Sequence, residues 1–288
     1  MTDFLEQLIA ERRADVAKSK ARVPAGDLVV HARRAVRMPV FADASSERRT
    51  VFVDEGRRGE AFAWALGLRR DRLAVIAEVK RRSPALGALG ESADAAAVAR
   101  GYVAAGASAI SVPTEPRHWG GSMEDLVAVR EAVDVPVLCK DVIVDEYQLV
   151  EAYAAGADAV LLIAEALDDI SLRRMIDRAR ELRLGVLVEA HEPAAFGRAV
   201  ASGAAVVGVN ARNLRRPIEI DIGRVRQLSA FARRDQILVA ESGIGSVDDA
   251  RMLPARVDAV LMGTALMRAD DPSPLIQSIA SIRRTVHA

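Results

Sequence analysis

Five short apolar runs in this chain end on charged or amide residues with one polarity, and that repetition restricts the fold more than any other feature. The runs are Ala74-Val-Ile-Ala-Glu78-Val-Lys80, Pro136-Val-Leu-Cys-Lys140, Gly185-Val-Leu-Val-Glu189, Val206-Val-Gly-Val-Asn210 and Gln236-Ile-Leu-Val-Ala-Glu241. Each is rich in β-branched residues and apolar at both alternating phases, the pattern of a strand buried on both faces. Such strands belong to parallel sheets, which gather their chemistry at the carboxyl edge. One edge would thus collect two lysines, three glutamates and an asparagine.

A second repeat marks the joints where a helix hands over to a strand. Ala105-Gly-Ala-Ser-Ala-Ile-Ser-Val, Ala155-Gly-Ala-Asp-Ala-Val-Leu-Leu and Ser202-Gly-Ala-Ala-Val-Val-Gly-Val share it, and Arg256-Val-Asp-Ala-Val-Leu-Met is a copy without the glycine. Gly106, Gly156 and Gly203 stand where a helix end needs a left-handed residue. Their spacing leaves about 25 residues per unit if each step holds two units, the size of a minimal strand-helix repeat. Eight strands are expected, at 74–80, 107–112, 136–140, 158–163, 185–189, 205–210, 236–241 and 258–262, with helices between them such as 145–154 and 172–182. That count and length match a closed (β/α)8 TIM barrel. An open doubly wound sheet would usually carry a glycine-rich turn after its first strand, where this chain has Arg81-Arg82-Ser83-Pro84.

The barrel is expected over 74–288, with 1–73 as an N-terminal helical extension packed across one end, one domain overall. Asp3 to Lys18 has the apolar spacing of an amphipathic helix, and Ala42 to Gly59 reads as a polar, mobile connector. About 70 residues with so few strong apolar positions make a poor independent core.

Composition narrows the function. The 40 basic and 40 acidic residues cancel, so no net charge advertises nucleic acid or an anionic membrane. No apolar run approaches the roughly 18 residues of a membrane span, and the first residues lack a secretory pattern. A cytoplasmic protein, a monomer or weak homo-oligomer, is expected. The single Cys139 excludes a disulfide framework and reads as core, pointing opposite to Lys140. His31, His118, His191 and His287 show no metal spacing and read as solvated surface, so no metal is expected. Trp64 reads as helix packing.

Glu78 and Lys80 are two apart, so they point to the same face. A buried ion pair with no function is costly, and Lys140, Glu189 and Glu241 would bring further charges to the same opening, each perturbing the others. A lysine so placed serves as acid or base, and a glutamate beside lysines as base. Lys140 also admits a Schiff-base role, and the sequence does not separate the two. Ser83-Pro84 reads as a rigid turn. Glu241-Ser-Gly-Ile-Gly-Ser246 and Met262-Gly-Thr-Ala265 follow the last two strands, the usual place of a phosphate cradle in such barrels. Trp119, in the loop after strand two, is placed to cover a flat substrate.

These residues resemble the indole-3-glycerol phosphate synthase family of tryptophan biosynthesis. The matching pieces are Ile76-Ala-Glu-Val-Lys-Arg-Arg-Ser-Pro84, Ser111 to Ser122 with Thr114-Glu115, Lys140-Asp141 with Asp145 to Gln148, Leu187-Val-Glu189, Gly208-Val-Asn-Ala-Arg-Asn213, Glu241-Ser-Gly-Ile244 and Val260-Leu-Met-Gly263, in family order. The resemblance implies a cofactor-free carboxy-lyase on a (β/α)8 barrel with an N-terminal helical extension. Its substrate would be 1-(2-carboxyphenylamino)-1-deoxyribulose 5-phosphate, and its products indole-3-glycerol phosphate, CO2 and water.

The same resemblance implies that Lys140 is the general acid of ring closure and Glu189 the base of the later dehydration. Lys80 would bind carboxylate or phosphate and take part in proton transfer, with Glu78 and Asn210 orienting and stabilising charge. Ser83, Pro84 and Trp119 would line the anthranilate pocket, Arg212 would hold the substrate carboxylate, and Ser242, Gly243, Gly263 and Thr264 the phosphate, with Glu241 beside them. The chain departs from the family's usual pattern at Ala85, Pro113, Trp119, Cys139 and Ala190. Several of these lie around the pocket, which leaves open a paralogue of altered activity, a sugar-phosphate isomerase or a Schiff-base lyase on the same barrel.

Overall fold

The computed structural model describes residues 3–28, 40–42, 50–52, 58–67 and 71–284. Eight parallel strands close into a barrel: β1 (Ala74–Glu78), β2 (Ala109–Pro113), β3 (Val137–Lys140), β4 (Ala159–Ile163), β5 (Gly185–Ala190), β6 (Val206–Asn210), β7 (Ile237–Glu241) and β8 (Ala259–Met262). Each falls within two residues of its expected bounds, and β8 pairs with β1 to seal the ring. Helices follow successive strands, from Ala95–Ala104 after β1 to Thr264–Arg268 and Ser273–Ala280 after β8. This is a (β/α)8 barrel.

The local signals act as the sequence requires. Gly106, Gly156 and Gly203 have φ of 103°, 88° and 79°, a region that suits glycine because it has no Cβ to clash. The aspartate of the same repeat has a task the sequence reading missed. Asp158 accepts the Val137 N–H at 2.9 Å and Asp258 the Leu238 N–H at 2.8 Å, so each stitches its turn to the amino end of the preceding strand.

Side chains alternate between two cores. Ile76, Leu138, Leu161, Leu187 and Val239 fill the barrel interior, while Val75, Ile110, Cys139, Val160 and Val207 pack outward against the helices. Both phases are apolar because both faces are covered. Only at the carboxyl end do the inward positions turn polar, at Glu78, Lys140, Glu189, Asn210 and Glu241.

Helices from the N-terminal region lie at both ends of the barrel, where one end was expected. Helix α1 (Phe4–Arg22), capped by Asp3, buries Leu5, Leu8, Arg12 and Val16. It lies over the mouth: Glu11 meets His118 at 2.8 Å, Asp15 meets Arg117 at 2.6 Å, and Arg12 binds Asp141. Helix α2 (Arg58–Gly67) plugs the opposite end. Its Phe62 and Leu66 are fully buried among the interior residues, and a Cβ on Gly67 would sit 3.5 Å from Ile237 at the start of β7. The expected connector over 42–59 lies largely outside the described residues. Within it stand the strand Thr50–Phe52, antiparallel to Val40–Ala42, and the start of α2. No helix among the described residues is long and apolar enough to cross a membrane.

Candidate active site

The period of two along β1 delivers Glu78 and Lys80 to one face, where they form an ion pair of 3.1 Å. Lys140, arriving from β3, stands 3.7 Å from the other Glu78 oxygen, and the Ser111 hydroxyl donates to that oxygen at 3.4 Å. Glu78, Glu189 and Glu241 are all essentially fully buried. Two glycines make that burial possible. A Cβ on Gly208 would lie 2.2 Å from Glu241 Oε1, and one on Gly263 would lie 2.6 Å from Glu78 Oε1.

Across the mouth, the Asn210 amide donates to Glu189 at 3.5 Å, and its carbonyl oxygen accepts the Arg212 N–H at 2.9 Å. His191 is buried, not solvated as its sequence context suggested; its Nδ1 lies 2.9 Å from the Asn210 main-chain oxygen. His118 is half-buried against α1. His31, His287 and the Trp64 side chain lie outside the described residues. The Trp119 ring centroid is 6.0 Å from Lys140 Nζ, a range in which a ring face attracts a cation. Its loop is held by buried Glu115, which accepts the N–H groups of Arg117, His118 and Trp119.

This packing drives like groups apart. Burial opposes charge on Glu78, but Lys80 and Lys140 outweigh it and hold the carboxyl below its ordinary value. Burial pulls Lys80 down, against the attraction of Glu78. Burial also opposes the charge on Lys140, but Glu78, Glu189 and Glu241 together hold this ammonium well above its ordinary value. Glu241 is pushed well up, first by burial and then by Glu189. Two lysines and two glutamates thus move in opposite directions, the arrangement that separates acids from bases at one pH.

A carboxyl whose folded value is depressed stabilises the fold above its unfolded value and loses that contribution as pH falls through the folded one. Glu78 is such a group. Acid unfolding of Glu78→Gln should therefore be less steep than wild type below pH 4.5, the ordinary value of the carboxyl. Parallel curves followed by circular dichroism would contradict this.

The mouth opens into a cavity of about 550 Å³ lined by Glu78, Lys80, Lys140, Trp119, Asn210, Arg212, Glu241, Ser242, Gly243, Gly263 and Thr264. That volume is in the range of small-molecule sites. Beside it lies an apolar recess of about 20 Å³ bounded by Leu8, Pro113, Trp119, Lys140, Leu161, Glu189 and Leu214. Lys140 and Trp119 face both. Ser83 and Pro84 line neither. Ser83 is buried in a small hairpin, its oxygen accepting the Ala85 N–H at 3.4 Å, and Leu86 of that hairpin reaches the cavity instead. Leu8, Leu214 and Ile220 also line the site, and no sequence motif pointed to them, because apolar wall residues look like any other core residue.

Ser242 and Gly243 both have left-handed backbone, with φ of 66° and 76°. Glycine bears this freely, whereas serine is strained by about 1 kcal/mol or more. Ser242→Gly is expected to raise the unfolding free energy by about 1 kcal/mol, read from the urea midpoint. A lower midpoint would mean that the serine side chain contributes more than its backbone costs.

Comparison with known proteins points one way. The family model for indole-3-glycerol phosphate synthase matches residues 53–279. An indole-3-glycerol phosphate synthase of Nocardioides is 53% identical over 209 residues, covering 72% of this chain and 80% of the relative. The one from Parafrankia is 44% identical over 253 residues, covering 88% and 92%. The one from Streptomyces griseus is 41% identical over 278 residues, covering 96% and 94%. Among solved structures, a 3-hexulose-6-phosphate synthase superposes with a TM-score of 0.58 at 19% identity, covering 73% of this chain and 99% of that one. A thiamine phosphate pyrophosphorylase from Pyrococcus furiosus gives 0.55 at 18%, covering 73% and 95%. At that identity the two structures speak to the fold alone.

Proposed function

The chain belongs to the indole-3-glycerol phosphate synthase family, and on that premise we propose how its strand-end charges carry out the family's reaction. The enzyme is a carboxy-lyase of tryptophan biosynthesis. It closes the ring of 1-(2-carboxyphenylamino)-1-deoxyribulose 5-phosphate and releases CO2 and water. The observation that carries the assignment of roles is Lys140, part-buried beside Glu78, Glu189 and Glu241 and facing both the large cavity and the apolar recess.

The phosphate is held by the loops after β7 and β8, at Ser242, Gly243, Gly263 and Thr264, and the substrate carboxylate by Arg212 and Lys80. The anthranilate ring enters the recess beneath α1, against Trp119, Pro113 and Leu8. A ring needs more room than about 20 Å³, so the recess widens as the ring enters. The ring carbon bearing the carboxylate then attacks the ketose carbonyl, and the Lys140 ammonium protonates the oxygen that becomes the hydroxyl. Loss of CO2 returns its bonding electron pair to the ring. Glu189 takes a proton from the carbon beside the nitrogen as the hydroxyl departs as water, with a proton given by the Lys80 ammonium once the carboxylate it held has left as CO2. Asn210 holds the Glu189 carboxylate in place, and Glu78 keeps both lysines oriented.

An ammonium held charged by its carboxylate neighbours, Glu78 foremost, donates protons and does not attack carbonyls, which favours acid catalysis over a Schiff base at Lys140. The direct test is turnover of the aminodeoxyribulose phosphate by the pure protein, followed by indole fluorescence. No product would overturn the reading. Borohydride with substrate should leave Lys140 unmodified, and an adduct there would restore the Schiff-base alternative.

A further inference from the structure

Glu241 is the one member of the carboxylate cluster whose oxygens meet no donor. Both are buried and neither accepts a hydrogen bond from any nitrogen or hydroxyl among the described residues. Glu78 has Lys80 and Ser111, and Glu189 has the Asn210 amide. The Glu241 Oε1 occupies the space over Gly208 where a Cβ would stand, 2.2 Å away, and Gly208 pairs in register with Glu189, so the two carboxyls face each other. Two ionised carboxylates offer only lone pairs to each other. Such a contact becomes a hydrogen bond when one of the two bears a proton.

We propose that Glu241 carries a proton at neutral pH and shares it with Glu189, so that the cavity presents a larger net positive charge to the carboxylate and phosphate of its substrate. The charged groups facing Glu241 are Glu189 from β5, Lys140 from β3 and Glu78 from β1, with Lys80, Arg212 and the more exposed Arg268 lining the same cavity. If Glu241 were ionised, three carboxylates would face these four cations. With the proton in place, four cations face two carboxylates, and the surplus that draws an anionic substrate rises from one positive charge to two. Burial and the neighbouring Glu189 both push Glu241 toward the neutral form.

The proposal about substrate attraction rests on the assigned reaction, but the protonation does not, and the two can be tested apart. Infrared difference spectra of the substrate-free protein at neutral pH, wild type minus Glu241→Gln, should show a carboxylic-acid C=O band that shifts in heavy water. No such band in the difference overturns the proposal, whether or not the protein turns over substrate. Glu189→Gln gives the second readout: it keeps the acid but changes its partner, so the band should persist at a shifted frequency. An unshifted band there overturns the sharing. In kinetics, Glu241→Gln fixes the neutral form, so its KM should rise less than that of wild type as the pH is made alkaline. Parallel KM profiles would remove Glu241 from substrate attraction.

Discussion

Replacing Lys140 by methionine is expected to lower kcat by about 10²–10⁴-fold, the range for loss of a positioned acid or base, with a much smaller change in KM. Methionine keeps most of the length of the side chain but has no proton to give. The loops after β7 and β8 proposed to hold the phosphate, and the Arg212 side chain, stay in place, so binding should survive while the chemical step fails. A loss confined to kcat is the sign of an interaction made in the transition state. Lys140→Arg should fail as well, since a guanidinium keeps the charge but holds its proton too firmly to deliver it. Full turnover in either variant, measured by indole fluorescence on protein of wild-type circular dichroism, would remove Lys140 from the mechanism.

Arg12→Leu should be the most damaging change outside the charged cluster. The Arg12 guanidinium grips Asp141 with two bonds, of 2.9 and 2.8 Å, and both groups are buried. The Thr114 hydroxyl donates to the same carboxylate at 2.7 Å. Removing one partner of a buried pair strands the other, at a typical cost of about 3–5 kcal/mol. That is a large share of the roughly 5–15 kcal/mol that holds a domain folded. Asp141→Asn keeps an acceptor for Thr114 and should cost less, and the double variant should cost less than the sum of the two changes. Urea unfolding of the four proteins checks this, and strictly additive losses would mean that the pair is not coupled. Asp141 follows Lys140 directly, and α1 brings Leu8 to the recess beside it. Weakening the clamp should therefore also lower kcat/KM where the protein is still folded.

The fold was legible because its signals are local. Apolar runs such as Val206-Val-Gly-Val-Asn210 need only a pattern of period and burial to be read as strands, and the glycines at 106, 156 and 203 mark helix ends through their own backbone freedom. The charged residues were legible for the same reason: a carboxylate or ammonium at the end of a buried strand is conspicuous in any apolar sequence. The walls were not. Leu8 lies more than a hundred residues from Lys140, and nothing in its flanking residues distinguishes it from an ordinary helix-packing leucine. His191 looked like surface until β6 brought the Asn210 carbonyl to it.

The sequence by itself determined the barrel, the edge on which its chemistry stands and the residue types available there, because each follows from short-range pattern. Tertiary structure alone decided which charge faces which. Glu78, Glu189 and Glu241 are the same residue type at equivalent strand ends. Only their positions around the closed ring give Glu78 two lysines and leave Glu241 against Glu189 with no donor. Electrostatic energy in a buried site depends on distance and on what else is buried nearby, and neither quantity is written along the chain.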